Sequence, residues 1–116
     1  MLPYPSIFFF WYIGKKVYEE KDHCLNVIQR YSDYYSYFYG NSFLFTRENI
    51  HFMKRFYMNY PIYYKKLELF SWKHYQFLLS IPNKKERTFY YSLSLFFQSS
   101  YEELLDMVYN NYYLRI

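Results

Sequence analysis

Thr46-Arg47-Glu48-Asn49-Ile50-His51-Phe52-Met53-Lys54-Arg55-Phe56-Tyr57-Met58-Asn59-Tyr60-Pro61 is the stretch whose pattern decides the fold class. At 100° per residue, Ile50, Met53, Phe56 and Tyr57 fall on one side of a helix. Arg47, His51, Lys54, Arg55 and Met58 fall on the other. Thr46 offers an N-cap hydroxyl at one end, and Pro61 stops the helix at the other. No other segment of the chain separates its two faces as cleanly.

The neighbouring segments read the same way. Upstream, Tyr39-Gly40-Asn41-Ser42 is a breaker with Gly40 at a helix C-cap. Before it, Asp22 can cap a helix whose apolar residues Leu25, Ile28, Tyr31, Tyr35 and Phe38 recur at three to four. Pro5 suits the first turn of an opening helix over residues 7–21, with Phe9, Ile13 and Val17 spaced by four. Downstream, Ser71 caps a short helix over residues 72–81 that Pro82 ends, and Asn83 caps the next. Phe89, Leu93, Phe96 and Phe97 form the expected buried stripe of that fifth helix. Ser100 caps a sixth, with Glu102 and Glu103 in the first turn, where the helix dipole favours acids. Its expected apolar side is Tyr101, Leu104, Leu105, Val108 and Tyr112. Residues 62–70 fit a short strand or a loop. The expectation is an all-α, single small domain of five to six helices, helix-turn-helix-like.

Composition agrees with that class. The chain has 116 residues, 19 Tyr, 13 Phe, 2 Trp, 2 Gly and no alanine. Its length suits one domain, and 53% apolar residues exclude an intrinsically disordered chain. Aromatics bury about 150–250 Å² each, so even a small core can be large in area. Scarce Gly, Ala, Pro and Arg beside abundant Tyr, Phe, Asn, Lys and Ile indicate an AT-rich genome. Part of the aromatic excess then reflects mutational bias, and most rings are expected to fill the core. The single Cys24 cannot close an internal disulfide, and the apolar run over residues 7–13 is too short to span a membrane. A cytoplasmic location is the expectation.

No arrangement of residues supports catalysis. Adjacent His23 and Cys24 lack the spacing that aims two ligands at one metal, and His51 and His74 stand alone. Glu19-Glu20 and Glu102-Glu103 are neighbours on diverging helix faces, which is not the geometry of a general acid/base pair. Gly14 and Gly40 are far apart, so there is no glycine-rich phosphate loop. The reading is a non-enzyme without metal or cofactor. Charge is more informative. Residues 46–66 hold Arg47, Lys54, Arg55, Lys65 and Lys66 against Glu48, a local +4. Residues 90–116 hold Arg115 against Glu102, Glu103 and Asp106, a local −2. A basic middle suits an anionic partner.

Ordered landmarks add a resemblance. Phe10-Trp11-Tyr12-Ile13-Gly14-Lys15-Lys16-Val17-Tyr18-Glu19 stands near the start, and Tyr39-Gly40 with Phe45-Thr46-Arg47-Glu48-Asn49-Ile50 in the middle. Met53-Lys54-Arg55-Phe56-Tyr57-Met58-Asn59-Tyr60-Pro61 follows. Phe70-Ser71-Trp72-Lys73-His74-Tyr75-Gln76-Phe77-Leu78-Leu79 and Glu86-Arg87-Thr88-Phe89-Tyr90 complete the set. Over residues 8–116 the chain resembles the N-terminal helical domain that precedes the PD-(D/E)XK nuclease domain in YhcG-type nucleases. The resemblance implies a winged-helix or helix-turn-helix-like DNA-binding role, with Tyr39-Gly40 at the turn and residues 47–59 as the second helix. Arg47, His51, Lys54 and Arg55 would meet phosphates or base edges. With Met58, Lys65 and Lys66 they make up the candidate nucleic-acid or partner-binding residues.

The chain also departs from that family. It ends at Arg115-Ile116, where longer members continue into the nuclease, so cleavage is not expected of it. Two extra residues lie near Phe43-Leu44, and Asp106 stands where a basic residue is usual. The first expectation is therefore a nucleic-acid-binding module, with DNA favoured over RNA. The second is a small inhibitor that binds a nuclease or CRISPR-type effector, as anti-CRISPR proteins of phages and mobile elements do. The third is a truncated remnant with little activity. A homodimer would hide surface aromatic rings.

Overall fold

The computed structural model describes residues 5–20, 26–40 and 43–115. Six α-helices follow one another: α1 (Ile7–Glu19), α2 (Asn26–Tyr39), α3 (Arg47–Asn59), α4 (Trp72–Ser80), α5 (Lys84–Phe97) and α6 (Tyr101–Tyr109). Short 3-10 turns cover Phe43–Phe45, Lys65–Leu69 and Tyr112–Arg115. The described residues contain no strand, so the fold is all-α. The stretch over residues 62–70, open between strand and loop in the sequence, contains the second 3-10 turn.

Helix starts are set by local side chains. Oxygens of Ser6, Thr46, Ser71, Asn83 and Ser100 each accept a backbone N–H in the first turn of the helix that follows. At Ser100 the box is closed by Glu103, whose Oε1 accepts the Ser100 N–H at 2.9 Å. The expected cap Asp22 and the stripe residue Leu25 lie outside the described residues, as does the His23-Cys24 pair.

The chain forms two compact units, Met1–Tyr63 and Tyr64–Ile116. In the first, α1 lies against α3. Ile13, Ile50, Met53 and Phe56 are fully buried there, beside Phe10, Trp11 and Val17. Gly14 is the point of closest approach: a Cβ on it would overlap the carbonyl oxygen of Met53. The Trp11 indole N–H donates to the Tyr60 carbonyl at 2.7 Å and fixes the C-terminal end of α3. Phe45 sits among the rings of Phe9, Phe10, Tyr35 and Tyr39. Two side chains pin its 3-10 turn, Ser32 donating to the Phe45 carbonyl and Asn49 to that of Phe43, each at 2.6 Å.

The second unit is built on Leu67, Tyr75, Leu78, Leu79, Tyr90 and Leu104, all buried. His74 joins two of its segments. Its Nδ1 accepts the Ser71 N–H at 3.0 Å, so Nε2 carries the proton and donates to the Ser99 carbonyl at 3.0 Å. Tyr75 donates to the Leu67 carbonyl at 2.6 Å, and the hydroxyls of Tyr64 and Tyr91 meet at 2.9 Å.

Two expected stripes are corrected. In α5 the buried residues are Tyr90, Tyr91 and Ser94, while Phe96 and Phe97 are 80% and 59% exposed. The helix has turned its tyrosines inward because their hydroxyls find partners, Tyr91 at Tyr64 and Tyr90 at the Tyr113 N–H. In α6 the buried residues are Leu104 and Met107, and Tyr112 is exposed beyond the helix end. Nor do most rings fill the core. Among the described residues twelve aromatic side chains are exposed and eight buried, so the surface holds more rings than the interior.

Candidate nucleic-acid interface

α3 presents the basic face because its opposite face is held by α1. Asn49, Ile50, Met53 and Phe56 turn inward. Arg47, His51, Arg55 and Met58 are exposed, and Lys54 is half-buried. These five residues recur along one side of a single capped helix, so the structure brings them together as the pattern required. Arg55 stacks its guanidinium 5.4 Å from the Phe52 ring centroid, which orients it along the helix. Among the described residues neither Arg47 nor Lys54 pairs with a carboxylate. Their charges are available to an anion. Glu48, in the first turn, is the one acid on α3.

Lys65 and Lys66, the other two expected residues, are exposed on the 3-10 turn of the second unit. They form a basic pair of their own.

The connection between α2 and α3 holds the 3-10 turn Phe43–Phe45. A tighter connection lies in the second unit, where only Ile81, Pro82 and Asn83 separate α4 from α5. Arg87 donates to the Ile81 carbonyl at 2.7 Å and braces that turn. Lys84 and Lys85 open α5 and are exposed. Sequence reading placed both helices and the turn between them but missed the basic start of the second. The signal was present in Pro82-Asn83-Lys84-Lys85, two breakers followed at once by two cations.

Among the described residues no group of three or more His, Cys, Asp or Glu is placed to hold a metal ion. None of their helices is long and apolar enough to cross a membrane.

These features define a small all-α protein with cationic helix surfaces. The model of the family described as the DUF1016 N-terminal domain matches residues 5–115, and the chain belongs to that family. This is the N-terminal domain of the YhcG-type proteins, and the match runs across both units. Neither a curated protein nor a solved structure matches the chain.

Proposed function

We propose that the protein is a non-catalytic, helix-turn-helix-like nucleic-acid-binding module of the cytoplasm, derived from a nuclease-associated recognition domain. The observation that supports this reading is the exposed face of α3, where Arg47, His51, Lys54 and Arg55 lie on one side of a helix anchored by α1. Duplex DNA is the favoured partner, since a helix face carrying cations matches the width of the major groove. Met58 adds an apolar contact at the end of that face, and Lys65 and Lys66 add phosphate contacts from their own turn.

Fluorescence anisotropy of a labelled 20-base-pair duplex, titrated from low to moderate salt, tests the reading. About five phosphate contacts, one for each of Arg47, Lys54, Arg55, Lys65 and Lys66, give a slope of log affinity against log salt near −4.5. Lys54→Glu should weaken binding across sequences and flatten that slope by about 1 or more. No duplex binding at low salt removes the proposal.

A second reading has its own observation. Phe96 and Phe97 are exposed in the unit that also exposes Glu102, Glu103 and Asp106. Exposed rings and acids in one unit suit a basic protein surface, such as the nucleic-acid channel of a defence nuclease that this protein would inhibit. Retention of purified nuclease effectors by the immobilised chain, lost in Phe96→Ser, supports it. Equal retention by wild type and variant rejects it.

A further inference from the structure

In the first unit, α1 and α2 enclose an open groove of about 470 Å³, within the range of sites that hold small ligands. α1 lines it with Tyr12 and Lys16, four residues apart on one stripe, and Glu20 follows at the residue that caps the helix. α2 lines it with Arg30, Tyr31, Tyr34 and Tyr35. Tyr12 and Tyr34 are 40% and 57% exposed, so two ring surfaces face solvent in a concave site. Burial raises the Tyr31 phenol above its ordinary range and pushes Tyr35 up to about 12, so both hydroxyls stay protonated donors.

The charges choose the ligand. Glu20 is already engaged: Arg30 Nη2 stands 3.7 Å from Oε1, and the Tyr31 hydroxyl donates to Oε2 at 3.4 Å. What is left is Lys16, exposed, with its ammonium 5.4 Å from the Tyr12 ring centroid. Tyrosines alone would equally suit a cationic guest, but Lys16 and Arg30 at the rim repel one. A planar ring carrying an anionic group satisfies both halves of the site.

We propose that this groove binds one base–phosphate unit of a single-stranded nucleic acid, its base stacked on Tyr12 or Tyr34 and its phosphate on Lys16. Ring stacking of this kind is tolerant of sequence because every base has a flat face. The inference rests on the nucleic-acid reading above and adds a single-strand contact distinct from the duplex-facing side of α3.

The experiment uses the full chain and eight-nucleotide single strands carrying a central 2-aminopurine. Wild type should quench the 2-aminopurine on binding, because the base stacks. Tyr34→Ala should weaken binding about tenfold, Lys16→Glu at least as much, and Tyr34→Phe should keep both affinity and quenching. Tyr34 and Lys16 are exposed, and far-UV circular dichroism of each variant should match wild type. The same variants should hold duplex affinity within about twofold. Loss of duplex binding with single-strand quenching retained would refute the α3 reading alone. Duplex binding without quenching, or equal quenching in all variants, overturns the groove. Adenosine monophosphate binding as tightly as the eight-mer overturns the strand assignment in favour of a free nucleotide.

Discussion

Gly14 of α1 lies directly under the backbone of Met53 in α3, with the Lys54 nitrogen 3.2 Å from where a Cβ would stand. The neighbour is main chain inside a helix, so it has no rotamer to give. Ordinarily Gly→Ala inside a helix adds about 1 kcal/mol of stability. Here the clash wins. Gly14→Ala should cost at least about 2 kcal/mol, as overpacking between rigid elements does. Urea unfolding followed by tryptophan fluorescence checks it, and an unchanged midpoint would contradict the packing described.

Ser94 is fully buried in α5, and among the described residues its hydroxyl oxygen has no hydrogen-bond partner. A hydroxyl taken out of water without a partner costs about 1–3 kcal/mol. Ser94→Ala removes that cost and leaves a gap of one oxygen. The expected outcome is a gain of about 1 kcal/mol, read as a higher melting temperature.

Tyr35 should govern stability in strong alkali. Its folded-state pKa is raised to about 12, chiefly by burial, from an ordinary 10.0. A raised folded value means that its contribution is complete below pH 10 and is lost between pH 10 and 12, as only the unfolded chain gives up the proton. Its ring is half-exposed, so the measured loss should be smaller than full burial would give. Tyr35→Phe should flatten that part of a stability-against-pH curve.

Glu103 behaves oppositely. The Ser100 backbone N–H and then its hydroxyl hold the Glu103 carboxyl below its ordinary 4.5. The capping box therefore contributes fully above pH 4.5 and fades as pH falls through the depressed value. A carboxyl NMR titration should place Glu103 below the ordinary 4.5, and Glu103→Ala should make the start of α6 exchange its amides faster.

Lys65→Ala with Lys66→Ala should lower the salt dependence of duplex binding by up to about 1.8 in slope, two contacts at about 0.9 each. Combined with Lys54→Glu, the slope should flatten further, because more cations are removed. An unchanged slope would remove Lys65 and Lys66 from the interface.

Helix order and four of the helix starts were legible in the sequence because each of those starts rests on a cap acting within four residues. Thr46, Ser71, Asn83 and Ser100 all cap where the pattern placed them. The α3 stripe was legible too, since Ile50, Met53 and Phe56 differ sharply from Arg47 and Lys54. The α5 stripe was not. Phe and Tyr look alike in a hydrophobic pattern, and which one turns inward depends on whether a hydroxyl finds a distant partner such as Tyr64. The same ambiguity hid the tyrosine groove, since residues of α1 and α2 meet there only through the fold. The exposed face of α3 could be anticipated because one helix carries all of it.

The capping side chains have a consequence for how such a sequence changes over time. Five helices take their starting points from Ser, Thr or Asn rather than from the rings that pack between them. Drift toward one kind of ring then alters how tightly a seam closes while leaving each helix in frame. That punctuation separates where a helix begins from which apolar side chain, ring or aliphatic, fills the seam beside it.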